Sequence, residues 1–325
     1  MKNNKRKINY LRISITDRCN FNCRYCVPKD PFPHVSHDQI ASYEEILKIV
    51  DIAVDLGITK IRITGGEPFV RKGIFSFLER LTTIDELNDI SITTNASLLN
   101  AEKLQRLWDM GITRLNFSLD TLSAEKFIFI TGRDQFTKVF DTIYAAKDIG
   151  FSPIKINAVV LKDINDDEIT DLAAISIDQP FQIRFIEYMP MGNSKISNDQ
   201  QVLTPYIKKT IESKFGELIP VTKKLKDGPA KKYRIKNSKG EIGFITPVSD
   251  HFCNECNRLR LTAQGRLRPC LLDDYEKDIL TPLRNNASKK ELTAIMEKVI
   301  IEKPASHHLA QINNRIFSQM SSIGG

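Results

Sequence analysis

The 325-residue chain has no uninterrupted apolar run longer than four residues. A membrane-spanning helix needs about twenty, so none is expected. The basic start (Lys2, Lys5, Arg6, Lys7) leads into an alternating polar stretch from Ile8 to Thr16, where a signal peptide would have an apolar core. A cytoplasmic protein is expected. Fifteen glycines and 14 prolines are too few for a collagenous or low-complexity chain. A hydrophobic share of 41% argues against wholesale disorder. An acidic excess is also missing: 47 Lys and Arg against 40 Asp and Glu leave a net charge of +7. That balance favours an anionic partner without choosing between nucleic acid, nucleotide and membrane surface.

Cysteine is scarce and clustered. Cys19, Cys23 and Cys26 form one triplet, Cys253, Cys256 and Cys270 a second, and no cysteine lies between them. Disulfides are rare in a reducing compartment. Tight triplets are instead the mark of metal or cluster ligation.

From Ile8 to about Tyr188, strand patterns alternate with helical ones. Strands are expected at Asn9–Thr16, Lys60–Thr64, Asp89–Thr94, Arg114–Leu119, Lys155–Leu161 and Gln182–Glu187. A helix opens at Ser42 with Glu45 three residues on, a capping box, and runs to Leu56. Others are expected near Ile74–Leu81, Ala101–Met110, Phe136–Ile149 and Asp166–Ser176, with Gly57, Gly111 and Gly150 at helix ends. Repeated βα units imply a parallel sheet with right-handed crossovers. Six units fall two short of a closed barrel, so an incomplete barrel and an open doubly wound sheet both fit. After Met189 the rhythm changes: a helix at Thr204–Lys214, a hairpin of Lys231–Ile235 with Glu241–Thr246, then helices near Tyr275–Arg284 and Lys289–Ile301. The boundary is placed so that residues 1–190 form the barrel and 191–325 a C-terminal domain. The lysine-rich segment 223–232 reads as solvated surface.

Parallel strands covered on both faces normally read as near-continuous apolar runs. These alternate. Arg12, Ser14 and Thr16 oppose Leu11, Ile13 and Ile15; Lys60, Arg62 and Thr64 oppose Ile61 and Ile63. The later strands give Ser91, Thr93 and Asn95, then Asn116, Ser118 and Asp120, then Lys155 and Asn157, then Arg184. Outer helices need the apolar face, which sends the polar face inward. Burying several uncompensated cations would cost several kcal/mol each. The expectation is an open, wet lumen that receives a polyanion; the alternative is that some strands turn their polar face to solvent.

Cys19-x3-Cys23-x2-Cys26 directly follows the first strand, at the end where barrel active sites lie. Three thiolates can hold three irons of a [4Fe–4S] cluster and leave the fourth open. Zinc, completed by His34 or His37, is the other reading. Gly65-Gly66-Glu67-Pro68 ends the second strand, with glycines that let a ligand approach the backbone and a carboxylate that could accept from an ammonium group. The second triplet, with His251 nearby, fits zinc by spacing alone. Arg258 and Arg260 follow its second cysteine and suit bidentate capture of phosphate or carboxylate.

The cysteine loop with Tyr25 before its last ligand resembles the radical S-adenosylmethionine (SAM) superfamily. The run from Gly243 through Phe252-Cys-x2-Cys-Asn-Arg-x-Arg to Cys270 resembles the GTP 3′,8-cyclases of molybdenum-cofactor biosynthesis, as do Arg12–Pro28, Ile61–Pro68, Thr93–Asn95, Asn116–Asp120, Arg184–Met189 and the terminal Ile323-Gly-Gly325. The resemblance implies an incomplete (βα)6 TIM-like barrel of the radical SAM type, with a C-terminal α+β domain covering its open side. It implies two [4Fe–4S] clusters, one on Cys19, Cys23 and Cys26 that also binds SAM, and an auxiliary one on Cys253, Cys256 and Cys270 facing guanine. Tyr25, Gly66, Glu67, Ser118 and Met189 would contact SAM. Arg12, Lys60, Arg62, Thr93, Lys155, Arg184, Arg258 and Arg260 would surround GTP. Arg258, Arg260, Gly324 and Gly325 would serve the chemistry, the last two as a tail reaching the site.

The reaction implied is hydrogen abstraction from C3′ of GTP followed by C3′–C8 bond formation. An electron donor and a downstream cyclic pyranopterin monophosphate synthase would be partners, with no membrane and no nucleic acid expected and a homodimer left open. Alternatives are a radical SAM enzyme acting on a peptide or RNA, and a non-catalytic metal-binding module. The chain departs from the family pattern at Val27, at Ala96-Ser97 after the Thr-Thr-Asn turn, and in a short 29–41 loop.

Overall fold

The computed structural model describes residues 6–29, 34–222, 227–307, 316, 318 and 320–324. Five strands begin the parallel series: β1 (Tyr10–Ser14), β2 (Lys60–Thr64), β3 (Asp89–Thr94), β4 (Arg114–Ser118) and β5 (Ile154–Val160), joined by β6 (Phe181–Glu187). Between them run α1 (Tyr43–Asp55), α2 (Ile74–Thr82), α3 (Ala101–Asp109), α4 (Ala124–Thr131), α5 (Phe136–Ile149) and α6 (Ile169–Asp178). The expected capping box is present at α1: Ser42 Oγ accepts from Glu45 N at 3.1 Å, and Ser42 N donates to Glu45 Oε2 at 2.7 Å. Helix α4 was not among the expected elements; Phe127-Ile-Phe-Ile-Thr131 is rich in the β-branched and aromatic residues that helices disfavour. It forms because Ser123 caps Lys126 N and tertiary packing buries Phe127 and Ile130.

Past β6 come α7 (Thr204–Phe215), β7 (Ile219–Pro220), β8 (Lys231–Arg234), β9 (Glu241–Ile245), β10 (Arg258–Leu261), β11 (Arg266–Arg268) and β12 (Lys277–Asp278), then α8 (Leu280–Arg284), α9 (Lys289–Ile301) and α10 (Met320–Ile323). The helix expected over 275–284 is corrected: the short strand β12 occupies its first half, and Asp278 then caps Leu280 N and Thr281 N to start a single turn.

The sheet runs β12-β11-β10-β1-β2-β3-β4-β5-β6-β9-β8-β7. Six parallel strands were expected; the parallel series is longer. Strand β10 joins β1 and β9 joins β6, both in parallel register, so the C-terminal segment extends both edges of the same sheet. The alternating face explains the core. Leu11, Ile13, Ile61 and Ile63 are fully buried against the helices, while Arg12 and Arg62 take the other face. Among the described residues no helix is long and apolar enough to cross a membrane.

Candidate active site

Register brings the cations together. Arg12 on β1 lies level with Arg62 on β2 and with Arg260 on β10. One row lower, Tyr10 lies between Lys60 and Arg258. Arg184 on β6 is level with Asn157 on β5. Arg12, Arg62, Arg184, Arg258 and Arg260 line one cavity of about 160 Å³, and no Asp or Glu lines it among the described residues. The polar faces therefore turn inward, as the alternation implied.

Burial and mutual repulsion weaken the hold of Arg12, Arg62, Arg184 and Arg260 on their protons. Arg12 is driven well below the usual range by burial and then by Arg260. Arg260 falls to about 10, from burial and then Arg258; Arg184 falls to about 9, from burial and then Arg62. Tyr10 Oη, Thr93 Oγ1 and Asn157 Oδ1 are buried on the wall of this cavity with no hydrogen-bond partner among the described residues. An enclosed cationic space with orphaned polar atoms fits a polar anionic ligand. Lys155 is 2% exposed and pushed down to about 6 by burial and then Arg184, yet it does not line the cavity; nor does Lys60.

A second cavity of about 200 Å³ is lined by Cys19, Cys23 and Cys26, together with Gly66, Glu67 and Ser118. Thr93, Asn157, Ile186 and Met189 belong to the walls of both cavities. The two spaces are thus neighbours across a shared partition. Among the described residues no three His, Cys, Asp or Glu side chains are close enough to hold a single ion. Thiols spread around one space are what a cluster needs, one cysteine per iron. Burial raises Cys19 to about 11 and Cys26 to about 12, the latter also through Cys19 and Asp120. A metal centre would displace those protons. His34 is largely exposed and faces Asp17 at 3.5 Å, and neither His34 nor His37 lines the cysteine cavity.

The glycine pair lines the cysteine cavity and also has a packing role. A Cβ on Gly65 would sit 2.6 Å from the carbonyl oxygen of Thr16, and one on Gly66 would sit 2.2 Å from that of Arg18. These glycines admit the cysteine loop's own backbone, which Gly66 N and Glu67 N bind at 2.8 and 2.9 Å. Glu67 is 1% exposed and accepts from Phe69 N, Thr94 Oγ1 and Asn95 N at 3.1, 2.8 and 2.7 Å. A carboxylate has about four acceptor positions, so most of Glu67 is spent within the chain, two of its three bonds stitching the end of β2 to the end of β3. Burial raises it to about 7 against those bonds. Ala96, where the turn would favour glycine, takes φ +67° and is held there by a hydrogen bond from its N to Thr94 Oγ1.

Tyr25 donates to Asp120 Oδ2 at 2.8 Å, tying the cysteine loop to the end of β4. Asp120 itself had been placed only on the inner face. Glu187, unremarked in the sequence, is fully buried and accepts from Thr204 N, Val248 N and Ser249 N at 2.9, 3.0 and 3.0 Å. It fixes the segment that leads to the second triplet. Its signal was a lone carboxylate closing the otherwise apolar row Ile183, Phe185 and Glu187 of its strand.

Cys253 and Cys256 flank a short 3₁₀ turn and Cys270 follows β11; all three line the cationic cavity. Burial would raise the Cys256 thiol, but Arg258, Lys303 and Arg260 together bring it below its ordinary value. Arg258 lies over the Phe252 ring, 5.0 Å from its centroid. The tail reaches the site: Arg260 donates to the Gly324 carbonyl at 2.6 Å. A Cβ on Gly324, at φ +71°, would meet Thr64 Cγ2 at 2.5 Å. Gly325 lies outside the described residues.

Comparison with known proteins gives the following. The Radical SAM superfamily matches residues 13–174, and Molybdenum Cofactor Synthesis C matches residues 181–309. A GTP 3′,8-cyclase from Thermodesulfovibrio yellowstonii is 49% identical over 329 residues, covering 100% of both chains. One from Desulforamulus reducens is 46% identical, covering 99% of each; one from Moorella thermoacetica is 45% identical, covering 99% of this chain and 98% of its own. Among solved structures, anSMEcpe with bound AdoMet superposes with a TM-score of 0.60 at 16% identity, covering 89% of this chain and 78% of that one. SuiB of Streptococcus suis, bound to precursor peptide SuiA, gives 0.58 at 16%, covering 89% and 66%. At such identity these two show the fold.

Proposed function

The chain belongs to the GTP 3′,8-cyclase family of the radical SAM superfamily, and we propose that its neighbouring cavities cyclise GTP in the first step of molybdenum-cofactor biosynthesis. The observation that carries this reading is the placement of the two cysteine triplets on neighbouring cavities, one of them walled by arginines. The superfamily carries SAM and an iron–sulfur cluster. Cys19, Cys23 and Cys26 would hold that cluster, with Tyr25, Gly66, Ser118 and Met189 around SAM, and Glu67 holding the turn on which Gly66 sits. Cys253, Cys256 and Cys270 would hold a second [4Fe–4S] cluster.

When bound, the reduced cluster and SAM would together supply a carbon-centred radical able to take the hydrogen atom from C3′ of GTP; C3′ would then bond to C8 at the expense of the C8–N7 double bond, with one further electron from the electron donor and one proton completing a product isomeric with GTP. The chain's own work is to bind, orient and exclude water. Arg12, Arg62, Arg184, Arg258 and Arg260 would clamp the triphosphate, with Lys60 and Lys155 adding charge from beneath. Thr93 would partner the nucleotide at the partition between the cavities. Arg260 would keep the tail residue Gly324 within the site. Residues 1–190 would form the partial barrel with the SAM-cluster loop, and 191–325 the C-terminal domain with the second cluster, both contributing arginines to the substrate cavity.

An electron donor and a downstream cyclic pyranopterin monophosphate synthase would be the functional partners, and a homodimer is compatible. RNA or peptide is the poorer substrate, because the cations are enclosed rather than laid out as an exposed basic strip. Anaerobic incubation with SAM, dithionite and a nucleotide panel tests the choice: a product isomeric with GTP, formed from GTP alone, is expected. SAM cleavage without any change to GTP would overturn it.

A further inference from the structure

Lys303, just beyond α9, is 5% exposed and lies on the wall of the cationic cavity. An ammonium has three hydrogens to donate, and two backbone carbonyls take two of them. Its Nζ donates to the carbonyl of Arg258 at 2.8 Å and to that of Pro269, and its charge acts on the Cys256 and Cys270 thiols. Those carbonyls belong to the second residue past Cys256 and the residue just before Cys270. The side chain is therefore turned toward the loops that carry the thiols, whereas the arginines beside it form the wall that faces a ligand. The same segment is fastened from the other side: Arg6 donates to the Cys253 carbonyl at 2.5 Å and to the Pro304 carbonyl at 2.8 Å.

Resting on the reading of the second triplet as a cluster site, we propose that Lys303 is the positioning and charge-setting residue of that site. It ties the start of β10, two residues past Cys256, to the segment after β11 that carries Cys270. Its fixed positive charge beside Cys256 and Cys270 favours the reduced state. Reduction adds one electron, and hence one negative charge, to the iron–sulfur group; no bond is made or broken and the lysine keeps its proton. A buried cation next to sulfur ligands stabilises the more negative state, because low-polarity surroundings screen it poorly.

The test uses the full-length chain with Cys19, Cys23 and Cys26 all changed to Ala, reconstituted anaerobically, so that only the second triplet can load. Retention of about four irons is expected of a single four-iron cluster; absence of iron would overturn the second-cluster reading itself. In this background Lys303→Met and Lys303→Arg are titrated with dithionite while the reduced signal is followed by electron paramagnetic resonance. Lys303→Met should lower the midpoint by a tenfold change in the reduction equilibrium, about 59 mV for one electron. Lys303→Arg should restore most of it. Loss of iron from the Met variant with retention in the Arg variant supports the tie. An unchanged midpoint with iron intact, or loss of iron from both variants, overturns the proposal.

Discussion

Arg12 and Arg260 are in-register neighbours on adjacent parallel strands, both facing one enclosed cavity. Their strands come from opposite ends of the chain, so folding itself creates the crowding of charge that a polyanion relieves.

Inorganic triphosphate or GTP should therefore stabilise the folded protein. At a hundred times the dissociation constant the gain is about 2.7 kcal/mol, read as a rise in melting temperature. Arg12→Met should be at least as stable as the parent without ligand, since it removes a buried repulsion, yet lose most of the ligand-induced rise. An equal rise in parent and variant would contradict the clamp.

Lys155 gives a pH signature. Its folded value is about 6, depressed by burial and then Arg184, against 10.5 when unfolded. Between those values the unfolded chain holds a proton that the folded chain does not, so this group makes stability rise with pH across that window. Lys155→Met should thus raise the melting temperature more at pH 7 than at pH 10. A bound phosphate should return the proton: calorimetric titration with GTP near pH 7.5, in buffers of different ionisation enthalpy, should show uptake that the Met variant lacks. Equal uptake in both would contradict this.

Gly66→Ala should disturb the cysteine loop, because its Cβ would fall 2.2 Å from the Arg18 carbonyl. The strain is of the order of 1–3 kcal/mol, measurable by urea unfolding, and should come with weaker SAM binding. An unaltered unfolding midpoint would show that the loop does not pack on this turn.

Cys23→Ser should lower the iron content of the reconstituted protein from about eight to about four per chain and abolish 5′-deoxyadenosine formation. Persistent SAM cleavage would show that the cluster sits elsewhere.

Much of this was legible because period-two alternation is a local signal: Arg12, Arg62 and Arg184 could be assigned to an inner face from their own strands. Strand β10 was not, since Arg258-Leu-Arg-Leu261 is four residues long and its partner β1 lies at the far end of the chain. The packing role of Gly65 and Gly66 was not legible for a similar reason. A sequence shows that a close approach is allowed but not what approaches, and here it is the backbone of residues 16–18. Lys303 gave no signal at all: a lysine after an amphipathic helix reads as surface until β10 and β11 are seen to close over it.

The most direct test of the central claim is the fate of the C3′ hydrogen. GTP deuterated at C3′, incubated anaerobically with the reconstituted protein, SAM and dithionite, should place its deuterium in 5′-deoxyadenosine and yield a nucleotide product one deuterium lighter. Deuterium-free 5′-deoxyadenosine beside unchanged GTP would mean that the arginine-lined cavity does not present the ribose of GTP to the SAM site.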